Sequence, residues 1–139
     1  VPLLTSDTIC SLDTNDKVSI MTTQYQDPTG YGRIVQDTNG QFYKIVEQKD
    51  CNSEEVEINI VNAGVYMFTI GLLRDYLPFI DNKNAQHEYY LTDIFEIIKA
   101  HENIPIGMVH LPSEKSVELT GINTKEQLEI LESQLLSKK

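Results

Sequence analysis

The sequence predicts an α/β fold with a mixed sheet. Strand-like apolar segments alternate with stretches of helical periodicity, which is the pattern of layered α/β domains. Within that alternation, Asn39-Gly40 sits between two short strand-like runs and demands an antiparallel hairpin, so the sheet cannot be wholly parallel. At 139 residues the chain is long enough for a single domain, 1-139, with its own core, and it carries no internal repeat or low-complexity tract.

In chain order, Ser6 to Leu12 reads as a short helix with Asp7 at its electropositive end, and Lys17 to Gln24 as a strand with Val18, Ile20 and Thr22 on one face. Gly32 to Gln36 and Gln41 to Val46 form the hairpin arms around Asp37-Thr38-Asn39-Gly40, where Asn-Gly supplies positive φ values. Ser53 to Val56 fits one helical turn. Ile58, Ile60 and Val61 then lead through Asn62-Ala63-Gly64 to Val65 and Phe68 as a mostly buried strand, with Gly64 marking close packing or ligand approach. Ile70 to Leu77 has helical periodicity, capped by Thr69 and stopped by Pro78, and a polar loop runs from Asp81 to Gln86. Thr92 is placed to cap a helix through His101, whose Ile94, Phe95, Ile97 and Ile98 face the core while Asp93, Glu96 and Lys99 stay wet. Ile104 to Leu111 is the last strand. Thr124-Lys125-Glu126-Gln127 is a capping box opening a helix with Leu128, Leu131 and Leu135 on one face.

Composition narrows the function classes. With 11 Lys plus Arg against 21 Asp plus Glu, the formal charge of -10 argues against a nucleic-acid or anionic-membrane surface. Cys10 and Cys51 have no metal-ligand spacing and are too few for a disulfide scaffold, which favours free thiols and a reducing, cytoplasmic setting. The most apolar stretch, 58 to 73, is interrupted by Asn59, Asn62 and Thr69 and falls short of a membrane span. His87, His101 and His110 show no paired ligand spacing, and Glu54, Glu55 and Glu57 lack the loop geometry of a Ca²⁺ site. No Ser/His/Asp or Cys/His constellation for nucleophilic catalysis stands out.

The most informative residues are an ordered set of blocks: Asp27-Pro28-Thr29-Gly30-Tyr31-Gly32-Arg33, then Ile45-Val46-Glu47-Gln48-Lys49-Asp50, then Asn62-Ala63-Gly64-Val65-Tyr66. A Pro/Gly turn lets backbone approach a ligand, while Glu47 and Asn62 can supply polar contacts beside it. With Val1-Pro2-Leu3-Leu4, Asn84-Ala85-Gln86-His87-Glu88-Tyr89-Tyr90-Leu91-Thr92-Asp93 and Glu118-Leu119-Thr120-Gly121-Ile122-Asn123, these blocks make nearly the whole chain resemble the sugar-phosphate nucleotidyltransferases. Within that family the nearest likeness is to the bacterial uridylyltransferases, or pyrophosphorylases, that form UDP-N-acetylglucosamine.

The resemblance implies a Rossmann-like nucleotide-diphospho-sugar transferase fold with an inserted β-hairpin. It implies a reaction of UTP with N-acetylglucosamine 1-phosphate, dependent on Mg²⁺, in cell-envelope precursor synthesis (peptidoglycan and lipopolysaccharide). The family's N-terminal Gly-rich loop and the Gly-Asp usually preceding Val-Pro-Leu do not occur here. The expectation is therefore the C-terminal, sugar-binding half of the domain, with the nucleotide-binding half absent, inactive alone and open to self-association at an unpaired sheet edge. No hexapeptide repeats point to an acetyltransferase domain within the chain.

Residue by residue, the likeness implies Gly32 for the backbone amide that meets the sugar, Glu47 for its hydroxyls, and Asn62 for the sugar and nucleotide contact. It implies Tyr90 and Thr92 in the segment closing over N-acetylglucosamine, and Asn123 both as a substrate contact and as a Mg²⁺ ligand. Ala63 departs from the family, where Thr often follows that Asn, at the cost of one hydrogen bond. One neutral amide oxygen is too little for a hard cation, so no tight Mg²⁺ site is expected in this chain alone. The competing expectations are another hexose-1-phosphate uridylyl- or thymidylyltransferase and a non-catalytic folded remnant or interaction module. Arg33, Lys44 and Lys49 could face phosphates, but isolated basic residues on an acidic chain read as solvated surface.

Overall fold

A computed structural model describes residues 4–13, 15–122 and 124–137. The elements run α1 (Ser6–Cys10), β1 (Val18–Gln24), β2 (Arg33–Gln36), β3 (Phe42–Val46), β4 (Ile60–Phe68), α2 (Ile70–Tyr76), α3 (Asp93–Glu102), β5 (Gly107–His110) and α4 (Lys125–Ser137). Short 3₁₀ turns fall at Gln48–Asp50, Glu55–Glu57, Leu77–Phe79 and Ser113–Leu119. The strands form one five-stranded sheet in the order β3-β2-β4-β1-β5, in which β1 and β5 are parallel and the other pairs antiparallel. The mixed sheet expected from the Asn39-Gly40 hairpin is what forms.

β1 lies between β4 and β5 and is covered on both faces. All of Val18 to Thr23 is therefore buried, rather than the single face that alternation suggests. On one side of the sheet Val18, Ile20, Ile34, Phe42 and Ile45 pack with Ile94, Phe95 and Ile98 of α3. On the other, Met21 joins Leu12, Leu111 and Leu119, with Ala63, Val65 and Met67 only partly covered. α3 forms because its apolar residues recur at one-turn spacing, and it ends at Asn103 in the left-handed conformation, φ 49°. Phe95 is the hub of this layer: its ring centroid lies 5.1 Å from those of Tyr66 and Phe68 and 5.9 Å from that of Phe42.

The hairpin turn differs in type from the sequence expectation. Gly40 alone has positive φ, 75°, and Asn39 does not. Gly40 N–H donates to Asp37 O, and the Asp37 carboxylate accepts from the backbone of both Asn39 and Gln41, which makes a type I turn closed by a glycine bulge. Aspartate wins here because its carboxylate satisfies two backbone donors that an Asn-Gly two-residue turn would leave open. α2 ends at Tyr76, just ahead of Pro78, and the proline enters the following 3₁₀ turn near its start, where no N–H is needed. Thr69 occupies the N-cap position of α2, yet its hydroxyl donates to Lys17 O instead.

The capping box of α4 is formed, with Thr124 N–H donating to Gln127 Oε1 and Gln127 N–H to Thr124 Oγ1. Of the three leucines expected on one face only Leu131 is buried, at 3% exposed, against 41% for Leu128 and 36% for Leu135. β4 pairs with β1 along its length but with β2 only at Arg33 and Val61. Beyond that point its second edge has no strand beside it among the described residues. No helix of the described residues is long and apolar enough to cross a membrane.

Phe95→Ala should lower unfolding free energy by roughly 3–5 kcal/mol, while Leu135→Ala changes it by about 0.5 kcal/mol or less. Urea denaturation followed by circular dichroism measures both, and equal losses would refute a core hub at Phe95.

Candidate functional site

The site begins at the turn before β2. Tyr31 N–H donates to Pro28 O, and the turn needs positive φ at Gly30, which has φ 87°. Asp27 Oδ1 accepts from Thr29 N–H at 3.1 Å and fixes the entry. The turn delivers Gly32 against the end of β3, where a Cβ on Gly32 would lie 3.2 Å from Ile45 Cγ2 and 3.3 Å from each Glu47 carboxylate oxygen. Glycine suits this position because of close approach, not backbone angle: a Cβ would press Ile45 and the Glu47 carboxylate by a few tenths of an ångström.

Arg33, the next residue, is 1% exposed, and its guanidinium bonds to neutral acceptors: Tyr31 O, Gln48 Oε1 at 2.8 Å and Val56 O at 3.4 Å. Gln48 Oε1 also accepts from Gly30 N–H at 3.1 Å. The same two side chains thus tie the glycine turn to the loop that carries Glu47. The reading of Arg33 as a solvated surface cation is overturned by this burial.

Three further elements converge on Glu47. Thr92, at the start of α3, donates its hydroxyl to Glu47 Oε1 at 2.9 Å and makes no side-chain cap bond. The cap expected of Thr92 does not form: its backbone is already helical, φ -63° and ψ -22°, rather than extended as at an N-cap, and its hydroxyl turns to Glu47 instead of accepting from the first turn. Asn62 N–H on β4 donates to Gly32 O at 2.9 Å. β4 bulges between Asn62 and Tyr66, which pair with Thr22 and Ile20 of β1, so that three residues on one strand face a single residue on the other. Gly64, with φ 75°, turns the bulge, and its N–H donates to Asn62 Oδ1 at 2.8 Å. The bulge brings Asn62 Nδ2 within 2.8 Å of the Tyr66 hydroxyl. Burial first, and then the Glu47 charge, push the Tyr66 phenol above its ordinary pKa, which keeps it neutral.

Beyond Glu47 a cavity of about 350 Å³ is bounded by Glu47, Asp50, Tyr90, Asp93 and Glu96. Tyr90 is held by Gln86, whose Nε2 donates to its hydroxyl at 2.6 Å and whose Oε1 accepts from Lys49 at 2.6 Å. Asp93 is not the wet residue its helical position suggests. Burial, and then the charges of Glu96, Asp81, Glu47 and Asp50, push its pKa up to about 6. A larger cleft of about 480 Å³ lies between the Tyr25–Tyr31 pair and α4, but no charged side chain lines it. Among the described residues no group of three His, Cys, Asp or Glu side chains could hold a metal ion.

The structure thus gathers Gly32, Glu47, Asn62 and Thr92 at one place and puts Tyr90 across the adjoining cavity. Asn123 lies outside the described residues. Tyr66, Arg33 and Asp93 are the participants that residue types alone did not single out. Gly64 inside an apolar strand was the sequence signal of a bulge that could have brought Tyr66 into view.

The nucleotidyl transferase family model matches residues 8–110. The chain belongs to the nucleotidyl transferase family. It is 39% identical over 138 residues to a probable UDP-N-acetylglucosamine pyrophosphorylase of Acanthamoeba polyphaga mimivirus, covering 96% of this chain and 54% of that protein. It is 41% identical over 132 residues to the bifunctional protein GlmU of Clostridium botulinum (strain Loch Maree / Type A3), and 45% over 133 residues to that of Caldanaerobacter subterraneus. Each of those two alignments covers 91% of this chain and 28% of the GlmU protein. This nucleotidyl transferase chain therefore spans about half the length of the viral relative and less of the bacterial ones.

Two outcomes follow from the geometry. Gly32→Ala should destabilise the fold by about 1–3 kcal/mol, because its Cβ must displace Ile45 or the Glu47 carboxylate. Unfolding unchanged from the parent would refute the close approach. For Asp93 the folded pKa of about 6 lies above the ordinary value of 3.8, so the fold holds its proton more tightly than the open chain does. Its protonation favours the fold fully below the ordinary value, and that benefit is lost as pH rises through 6. Asp93→Asn should accordingly raise the melting temperature at pH 7.5 relative to the parent, with the difference vanishing near pH 3.5.

Proposed function

We propose that this chain is the sugar-binding part of an N-acetylglucosamine-1-phosphate uridylyltransferase, which converts UTP and N-acetylglucosamine 1-phosphate into UDP-N-acetylglucosamine and pyrophosphate. The observation that carries the reading is the meeting of the Gly32 turn, the Glu47 carboxylate, the Asn62 amide and the Thr92 hydroxyl, from four separate parts of the chain. The names of the viral and bacterial relatives point the same way.

In the proposed reaction a phosphate oxygen of the sugar phosphate bonds to the α-phosphorus of UTP. The bond to the bridging oxygen of pyrophosphate breaks, and the electron pair leaves with it. No side-chain nucleophile is needed, and the chain's contribution is position. Glu47 accepts from sugar hydroxyls with the oxygen that Thr92 leaves open, and Thr92 fixes the carboxylate plane. Gly32 lets the sugar approach the backbone, Asn62 offers its remaining N–H, and Tyr90 bounds the far wall. Asn123 retains its proposed substrate and Mg²⁺ contacts by family likeness. The described residues do not make up a Mg²⁺ site, so no step is routed through that ion. The nucleotide-binding half, and a cytoplasmic role in envelope precursor supply, belong to this proposal.

Replacing Glu47 by Gln removes a charged acceptor, worth about 1.5–3 kcal/mol, and should weaken N-acetylglucosamine 1-phosphate binding roughly 10- to 100-fold. NMR titration of the chain reads this; an unchanged affinity would overturn the assignment. Pyrophosphate release by these 139 residues mixed with both substrates should stay at background, and turnover would refute the division of labour. If the open stretch of the β4 edge seeks a partner, sedimentation should show dimers, and a monomer at all concentrations counts against a homo-oligomer.

A further inference from the structure

The bulge in β4 fixes more than the position of Asn62. An asparagine side chain has one acceptor oxygen and one two-proton donor nitrogen, and which end points where is settled by its partners. Here the settling partner is Gly64 N–H, which can only donate and lies 2.8 Å from the oxygen. The amide nitrogen must therefore be the end that meets Tyr66, at 2.8 Å. An amide nitrogen cannot accept, so the Tyr66 oxygen is the acceptor in that bond and its own proton is not used there.

That proton is left uncommitted. The phenol ring is packed against Phe95 and Phe68, with centroids at 5.1 and 6.2 Å, so the phenolic oxygen is held in place while its O–H turns about the C–O bond to meet an acceptor. Burial and the neighbouring Glu47 charge both keep it protonated. Among the described residues Asn62 is its hydrogen-bond partner, and no acceptor for the O–H is bonded to it. The group therefore stands as a neutral donor beside a carboxylate acceptor, the combination that reads an oxygen capable of both giving and taking a hydrogen bond.

We infer that Tyr66 is a specificity-determining residue of the sugar site, donating its phenolic proton to an oxygen of the bound hexose phosphate. This inference rests on the sugar-phosphate reading and deepens it. The acceptor is a sugar oxygen, belonging either to a ring hydroxyl or to the carbonyl of the N-acyl group. Asn62, held between Gly64 and Tyr66, aligns the phenol from behind.

The test is titration of the chain with N-acetylglucosamine 1-phosphate, followed by ¹H–¹⁵N chemical shifts, with the parent, Tyr66→Phe and Glu47→Gln compared. Phenylalanine keeps the ring contacts, and the melting temperature of each variant is recorded to show that it is folded. Tyr66→Phe should weaken binding roughly 3- to 10-fold, the share of one neutral hydrogen bond. A structural role would lower the melting temperature, so a loss of affinity counts for direct contact only where the melting temperature is unchanged, and glucose 1-phosphate is titrated in parallel to locate the acceptor. A loss for both sugars supports a ring hydroxyl as acceptor, and a loss confined to the N-acetylated sugar supports the acyl carbonyl. Affinity within twofold of the parent for Tyr66→Phe, with Glu47→Gln impaired, overturns the role of Tyr66 alone. No saturable binding by the parent, or an unimpaired Glu47→Gln, overturns the sugar reading and this inference with it.

Discussion

The site depends on a buried cation that no carboxylate among the described residues answers. Removing a guanidinium from water costs several kcal/mol, and Arg33 recovers this only through neutral oxygens on Tyr31, Gln48 and Val56. Among the described residues its Nε finds no partner. Such an arrangement persists because one planar group with five donors can reach three segments at once, which a lysine cannot. The segments are the turn that presents Gly32, the loop that follows Glu47, and the 3₁₀ turn at Glu55–Glu57. An acidic partner would have satisfied Arg33 better but would have brought a second carboxylate beside Glu47.

The second determinant is the bulge. A regular strand would keep Asn62 and Tyr66 two residues' rise farther apart along β4, and the amide would not reach the phenol. The extra residues shorten that path, and they are accommodated by a single glycine whose backbone angle other residues avoid. The amide that stabilises the bulge is the same amide that faces the site. Fold and recognition thus share one side chain, so losing Asn62 would disturb both.

Much of the fold was legible in the sequence because it rests on local rules. The Thr124–Gln127 capping box, the Ile94–Ile98 face and the hairpin arms each follow from spacing within a few residues. Of the site, Gly32, Glu47, Asn62 and Thr92 were legible as a set only through their likeness to the family, because their meeting is long-range. What stayed hidden depends on tertiary placement. Thr92 gives its hydroxyl to a residue 45 positions away rather than to its own helix. Arg33 is buried although arginine is usually wet, and Leu128 and Leu135 stay exposed although their spacing matches that of Leu131. Tyr66 looked like one more aromatic in an apolar strand until the bulge turned its hydroxyl toward Asn62.

The charge around the cavity also constrains how a sugar phosphate would lie. Glu47, Asp50, Glu55, Asp93 and Glu96 bound it against Lys44 and Lys83, so the wall is net negative, and Asp93 is held protonated to a higher pH by burial first and by the neighbouring carboxylates second. The nearby cations are committed: Lys44 to Glu55 at 2.9 Å, Lys83 to Asp81 at 3.4 Å, Lys49 to Gln86, and Arg33 to its three oxygens. A phosphate would be repelled from this wall, whereas hydroxyls would be drawn to it as donors. Under the proposed function the sugar therefore enters with its hydroxyl face toward Glu47 and its phosphate turned away. The groups that neutralise that phosphate then have to come from outside the cavity, which is why recognition of the sugar and chemistry at phosphorus can reside in different parts of a polypeptide.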